Sequence, residues 1–384
     1  MRPRRIRHAV IAVACALPLA ACAAPADTCG QPGQWLVPGK TAAPLTSAAI
    51  IERVADRQAV LLGESHESAE DHRWQLHTLA QLHAKRPQLA LALEMFPRRL
   101  QPLLDRWVAG EFSESAFLRQ AEWDKVWGYD ARDYLPLFHF ARMHRLPMLA
   151  MNVERELIDA VARNGWDAVA EKQKEGLTRP AKPSAEYQKI LRRIYEHHPE
   201  KVDGDKGFQR FAEAQATWDR GMAQTIAEHL KQNPGSLVVG IVGAGHVRHG
   251  HGIAHQLRDL GVARSGLLLT WRQDEPCSEI AAGVADALLV VAPPAANPPR
   301  LGITMESEKG GVRIARVLAD SVADKSGIKA GDLVVEARGL PLRDLQALRY
   351  AVQQQTPGTW LPLKVKRGGE ELEIVVRFPV DDSR

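Results

Sequence analysis

At 384 residues the chain is too long for one ordinary domain and has ample material for a sizeable core. Its 50 basic side chains exceed its 46 acidic ones by four, and Arg2, Arg4, Arg5 and Arg7 all lie at the extreme amino terminus. Beyond that segment the charges balance, which removes any general electrostatic case for nucleic acid or an anionic membrane surface as partner.

Those arginines precede a short apolar run, residues 9–21. As a helix it reaches only about 20 Å against a hydrocarbon core of roughly 30 Å, so residues 1–21 predict a cleaved signal and not a spanning helix. Leu19-Ala20-Ala21-Cys22 resembles the lipobox of bacterial lipoproteins. That resemblance implies acylation of Cys22 and a periplasm-facing lipoprotein; Ala23 and Ala24, in place of an aspartate, favour the outer membrane. Cys15 leaves with the signal, so Cys29 and Cys277 remain in a compartment that permits disulfides, and the two are expected to bond.

Residues 22–45, rich in Ala, Pro, Gly and Thr, predict a tether whose segment 34–38 packs back on the domain. A helix capped by Thr46 or Ser47 is expected to about Arg57. Then the apolar run Ala59 to Leu62 stops at Gly63, Glu64 and His66 follow, and a helical pattern runs from Glu67 to Lys85. This is the first half of a βα unit. Three more apolar runs end alike: Leu89 to Leu93 before Glu94, Met148 to Met151 before Asn152, and Leu237 to Val242 before Gly243-Ala244-Gly245-His246. As parallel strands they place Glu64, His66, Glu94, Asn152 and His246 along one rim, where open α/β sheets bind ligands.

Between these runs, Phe96 to Trp127 is helical and rich in aromatic residues, a pattern read as core. Helices are expected over 133–143, 154–163 and 166–173, and a long amphipathic one over 208–231. The charged, proline-bearing stretch 175–207 reads as an inserted mobile excursion. A helix over 253–260 and strands over 266–271 and 285–292 complete an α/β domain spanning 46–292, a mostly parallel sheet with flanking helices. Residues 293–299, with four prolines, form a stiff linker. Short strands and helices then alternate over 300–384, a small β-rich domain.

The order of several motifs carries a resemblance. Gly63-Glu64-x-His66 with His72 and Gln75, Leu93-Glu94-Met95-Phe96, and Trp123-x-x-x-Trp127 with Tyr134-x-Pro136-Leu137 are similar to the ChaN haem-binding lipoproteins. So are Ala150-Met151-Asn152, Ala214-Gln215-x-x-Trp218-Asp219-x-x-Met222-Ala223 and Gly243-x-Gly245-His246. Glu67 stands where that family has an aspartate, and Ala254 where a proline is expected. The wider Tiki/erythromycin-esterase-like superfamily shares the Glu-x-His and strand-end Glu pattern and includes metal-dependent hydrolases. Residues 300–384 resemble a PDZ module, with Leu301-Gly302-Ile303 as the loop that captures a C-terminal carboxylate.

Two chemistries follow. The resemblance implies haem and iron acquisition, with cofacial haems joining a homodimer. Haem needs an apolar slot, an axial ligand and cations for its propionates. Tyr129, Tyr134, His249 and His251 are the axial candidates, Tyr134 the first choice; Arg248 and Arg264 are candidate propionate partners. The alternative is a metal-dependent hydrolase or peptidase, in which Glu64, His66, Glu94 and His246 hold Zn or Mn and Glu64 or Glu94 acts on a bound water. A third reading makes the PDZ module the working part and the pocket vestigial.

Overall fold

A computed structural model describes residues 29–39, 45–197, 204–293, 299–342 and 344–380. Cys22 and the signal, with much of the tether and linker, lie outside the described residues.

The first sheet has seven strands: β1 (Trp35–Leu36), β2 (Ala59–Glu64), β3 (Leu89–Pro97), β4 (Met148–Asn152), β5 (Leu237–Gly243), β6 (Ser265–Arg272) and β7 (Ala287–Val291). Their order is β1-β7-β6-β2-β5-β3-β4. Only β1 runs antiparallel, against β7. A parallel sheet is covered on both faces, so its strands read as continuous apolar runs. Size still alternates within them. Leu89, Leu91 and Leu93 enter one apolar layer, while Ala90 and Ala92 enter the other.

The first layer is covered by α1 (Ser47–Val54), α2 (Ala69–Lys85), α3 (Gln101–Ala109), α4 (Glu114–Gln120), α5 (Trp123–Val126) and α6 (Ala131–Met143). The aromatic stripe lies in it: Trp107, Phe117 and Phe138 are fully buried, and the Trp107 indole donates to the Phe138 carbonyl at 3.0 Å. The helical stretch expected over 96–127 divides into a 3-10 turn, Arg98–Leu100, and the three helices α3, α4 and α5. Left-handed Gly110 (φ 88) ends α3, and Glu122 (φ 50) precedes α5.

On the opposite face lie α7 (Arg155–Asn164), α8 (Ala185–Glu196), α9 (Asp205–Gln232) and α10 (Ile253–Asp259). Met222, Ala223 and Ile226 of α9 pack with Ala90 and Ala92, whose short side chains let the helix approach. The described part of the stretch expected to be a mobile excursion is anchored. Tyr187, Leu191 and Tyr195 of α8 pack on Phe208 and Ala212 of α9, and the Thr178 and Ala181 amides donate to Gln224 and Gln256 at 2.9 Å. The helix expected over 166–173 is two single 3-10 turns.

Part of the predicted tether belongs to the sheet. Trp35 of β1 is 2% exposed and its indole donates to Ser47 at 3.0 Å. Cys29, just before β1, is disulfide-bonded to Cys277, after β6.

A second, antiparallel sheet with its own core comprises β8 (Ile303–Glu308), β9 (Gly311–Val317), β10 (Leu333–Ala337), β11 (Leu340–Pro341), β12 (Trp360–Arg367) and β13 (Glu370–Arg377). The order is β13-β12-β10-β9-β8, with β11 beside β10. Helices α11 (Val322–Lys325) and α12 (Leu345–Gln353) cover it, α12 lying against edge strand β8. Among the described residues no helix is long and apolar enough to cross a membrane.

Candidate functional site

The carboxyl ends of β2, β3 and β5 meet at a cavity of about 600 Å³, lined by Glu64, Ser65, His66, Glu67, Tyr129 and the segment Gly243 to His246. Glu64, His66, Glu94 and His246 do come together here. Strand parity sends the two glutamates to opposite layers: Glu64 follows Val60 and Leu62 toward α2 and α6, whereas Glu94 follows Ala90 and Ala92 toward α9.

Glu64, 3% exposed, is the hub of the first side. Its Oε1 accepts from Tyr134 at 2.8 Å and from His66 Nδ1 at 2.9 Å; its Oε2 accepts from Gln75 at 2.7 Å. His72 Nδ1 lies 3.3 Å from the same Oε2. Burial works against the charged carboxylate, but the His66 and His72 hydrogen bonds outweigh it and hold Glu64 down at about 2. His72 is correspondingly raised to about 9, burial being overcome by Glu64.

Two histidines are each braced by a buried carboxylate. With Nδ1 on Glu64, His66 turns its Cε1–Nε2 edge toward Gly243, where an added Cβ would stand 3.0 Å and 3.3 Å from those two atoms. Across Gly243, His246 donates from Nδ1 to Asp219 at 2.6 Å, and its Nε2 lies 3.6 Å from Glu94. Burial disfavours the His246 cation, but Asp219 and Glu94 raise it to about 9. Glu94 Oε2 accepts from the Gly243 amide at 2.6 Å, and its backbone carbonyl from Asn152 at 2.7 Å. Trp218 donates to the Asn152 oxygen at 2.7 Å and stands beside the His246 ring.

These hydrogen bonds occupy both oxygens of Glu64 and the Oε2 of Glu94, whose Oε1 faces His246 Nε2 at 3.6 Å. Among the described residues no group of three or more His, Cys, Asp or Glu is arranged to hold a metal ion. Glu64 in particular is saturated by Tyr134, His66 and Gln75, so its donor set is built for protons and braces.

The structure separates the haem candidates. Tyr134 is fully buried beneath Glu64, and burial beside that carboxylate pushes its hydroxyl far up. It does not line the cavity, which removes it as first choice for an axial ligand. Tyr129 does line it, with its ring 4.9 Å from His66 and 5.4 Å from Trp127. Arg248 and His249 lie on the far side of the β5 exit loop. The Arg248 guanidinium sits 5.8 Å over Trp271, the His249 amide donates to Val284 at 2.8 Å, and the His249 ring stacks on His251. Neither lines the cavity.

Asp219 was not among the expected site residues. A signal existed: it is a lone acid within a run of small and apolar helix residues, Ala214, Ala216, Gly221, Met222 and Ala223. A buried acid on such a face requires a partner, here His246.

In the second unit Leu301 is buried and Gly302 adopts φ 78, with an added Cβ only 2.4 Å from Ser321 Cβ. Only glycine fits that loop. Ile303 opens β8, whose outer edge is unpaired among the described strands. Leu345 packs partly buried at the start of α12, whereas Leu348 is wholly in the core.

Comparison with known proteins agrees with this division. Residues 50–257 match the family "Haem-binding uptake, Tiki superfamily, ChaN", and residues 299–377 match the PDZ domain. The fold is similar to that of a solved structure, "Cofacial heme binding to ChaN of Campylobacter jejuni", at TM-score 0.53 and 18% identity, over 66% of this chain and 95% of that one. The periplasmic pH-dependent serine endoprotease DegQ of Escherichia coli is 26% identical over 188 residues, 46% of this chain and 37% of DegQ. A probable periplasmic DegP-like endoprotease of Chlamydia muridarum is 37% identical over 76 residues, 19% of this chain and 15% of the endoprotease. The chain thus spans well under half the length of these curated relatives. On the match over 50–257, which covers more than half of its length, the chain belongs to the ChaN family of haem-binding uptake proteins in the Tiki superfamily, with a PDZ domain following.

Proposed function

We propose that the cavity at the β2, β3 and β5 ends binds haem, with Tyr129 as the axial residue, in the service of iron acquisition. The observation that carries this reading is the placement of a partly exposed phenol on the cavity wall beside His66 and Trp127. The lining fits the iron side of the group. It offers a phenol oxygen, an imidazole edge, an aromatic flank and a floor at Gly245 where an added Cβ would meet nothing within 4 Å. No arginine or lysine lines it among the described residues.

When bound, haem supplies a ferric Lewis acid. Burial, with the charges of Glu67, Glu94 and Glu64, raises the Tyr129 phenol above its ordinary value of 10.0. Holding iron through this oxygen would require loss of its proton, and His66 in its neutral form, its ring 4.9 Å from that of Tyr129, would be a base placed to receive it. Haemin titrated into the mature protein should give a saturable Soret change, with affinity rising as pH rises. Tyr129→Phe should shift or abolish the band, and light scattering in the same titration reads whether two copies pair. An unaltered spectrum in Tyr129→Phe rejects the axial assignment. No saturable change at all, with copurified Zn or Mn, puts the hydrolase in its place.

The same reading makes the protein a periplasm-facing lipoprotein acylated at Cys22. Its support is the lipobox-like Leu19-Ala20-Ala21-Cys22 for acylation and the Cys29–Cys277 bond, of a kind that persists in oxidising compartments, for the periplasm. Cys22→Ser should move the protein from the membrane fraction, the outer membrane by its Ala23-Ala24 sequence, to the soluble one; retention in membranes would refute acylation.

A further inference from the structure

We propose that the PDZ domain docks through α12 on the amino-terminal turn of α6, so that its peptide groove and the cavity are energetically linked. This inference rests on the haem and peptide readings above. Tyr350, on α12, donates its hydroxyl to Asp133 Oδ2 on α6. The neighbouring Arg132 guanidinium lies 5.8 Å from the centre of the Tyr350 ring. That guanidinium is itself fixed. Asp130 caps α6 by accepting from the Arg132 amide at 2.8 Å and also holds the Arg132 Nε at 2.9 Å. A phenol is thus received by an acid and a cation that are already ordered, which lowers the entropy lost on docking. Arg338, at the β10–β11 turn in a left-handed conformation (φ 55), brings a PDZ charge within range of Asp130 and Asp133 and also of Arg132.

The docking point adjoins the cavity at both ends of one helical turn. Tyr129 precedes the Asp130 cap and lines the cavity. Tyr134 follows Asp133 and donates to Glu64 at 2.8 Å. On the PDZ side, α12 lies against β8, the edge to which a peptide adds as a strand. A peptide that shifts α12 against β8 moves Tyr350, and its partner Asp133 is four residues from Tyr129 and one from Tyr134. Linkage then runs in both directions with one coupling factor.

The test uses the full mature chain, with haemin and a short synthetic peptide ending in valine with a free carboxylate; its amidated form is the control. Saturating peptide should change haemin affinity about five-fold or more in the wild type, and not in Tyr350→Phe or Asp133→Asn. Tyr350→Phe should also speed hydrogen exchange of the amides over residues 129–140. Equal haemin affinity with and without peptide, when both ligands bind, overturns the linkage while leaving the haem reading intact. If haemin does not bind, that reading fails and the exchange arm alone decides: unchanged exchange over 129–140 in Tyr350→Phe overturns the docking. Equal affinity for the free and amidated peptides rejects carboxylate capture.

Discussion

Glu64→Ala is expected to destabilise the α/β domain by about 3–5 kcal/mol, the range for breaking a buried ion pair by removing one partner. The substitution removes the carboxylate shared by the Tyr134 hydroxyl, the Gln75 amide and the His72 imidazole, leaving them their contacts to the His66 and Leu62 carbonyls and to one another. Its effect on ligand binding is therefore inseparable from its effect on folding unless stability is measured first. Chemical denaturation gives that measurement, and an unchanged midpoint would remove Glu64 as the hub. The same pair sets a pH dependence. Glu64, lowered from 4.5 to about 2, contributes fully above 4.5, and the contribution is lost as pH falls through 2. His72, raised from 6.5 to about 9, contributes fully below 6.5 and loses its contribution as pH rises through 9. Both are complete between pH 4.5 and 6.5. His246, also raised to about 9, steepens the alkaline loss. Stability should decline from pH 6.5 to 9 in the wild type, and more gently in Glu64→Gln.

Removing the disulfide should lower stability by about 2–5 kcal/mol, toward the upper end because the loop it closes is long. Cys29 and Cys277 are 248 residues apart in sequence. The bond fastens β1, an edge strand of only two residues, against β7. Without it Trp35 should leave its place beside Trp74, where the ring centres are 6.2 Å apart, and its fluorescence should shift on reduction. Cys29→Ser, compared with the wild type with and without reductant, checks this. Equal midpoints under all three conditions would mean that β1 holds without the bond.

The local pattern of this chain determined the six parallel strands of the first sheet and most of its helices. Continuous apolar runs such as Leu89 to Leu93 belong to strands buried on both faces, and the glycine, carboxylate and imidazole that end them are neighbours in sequence. The rim of Glu64, His66, Glu94 and His246 was legible for that reason. Breaks within the aromatic stretch were not, because Glu122 adopts a left-handed backbone that its residue type does not announce. The facing of Glu94 needed β3 to continue past Leu93, and a register shift against β4 accompanies that continuation. Only the tertiary structure decided that β5 lies between β2 and β3, that Asp219 braces His246, and that Tyr129 lines the cavity while Tyr134 is buried behind Glu64. Each of these depends on contacts between residues distant in sequence. A residue's type and its neighbours set whether it forms strand or helix, but which of two tyrosines five residues apart meets solvent is set by the helix and sheet packed over them.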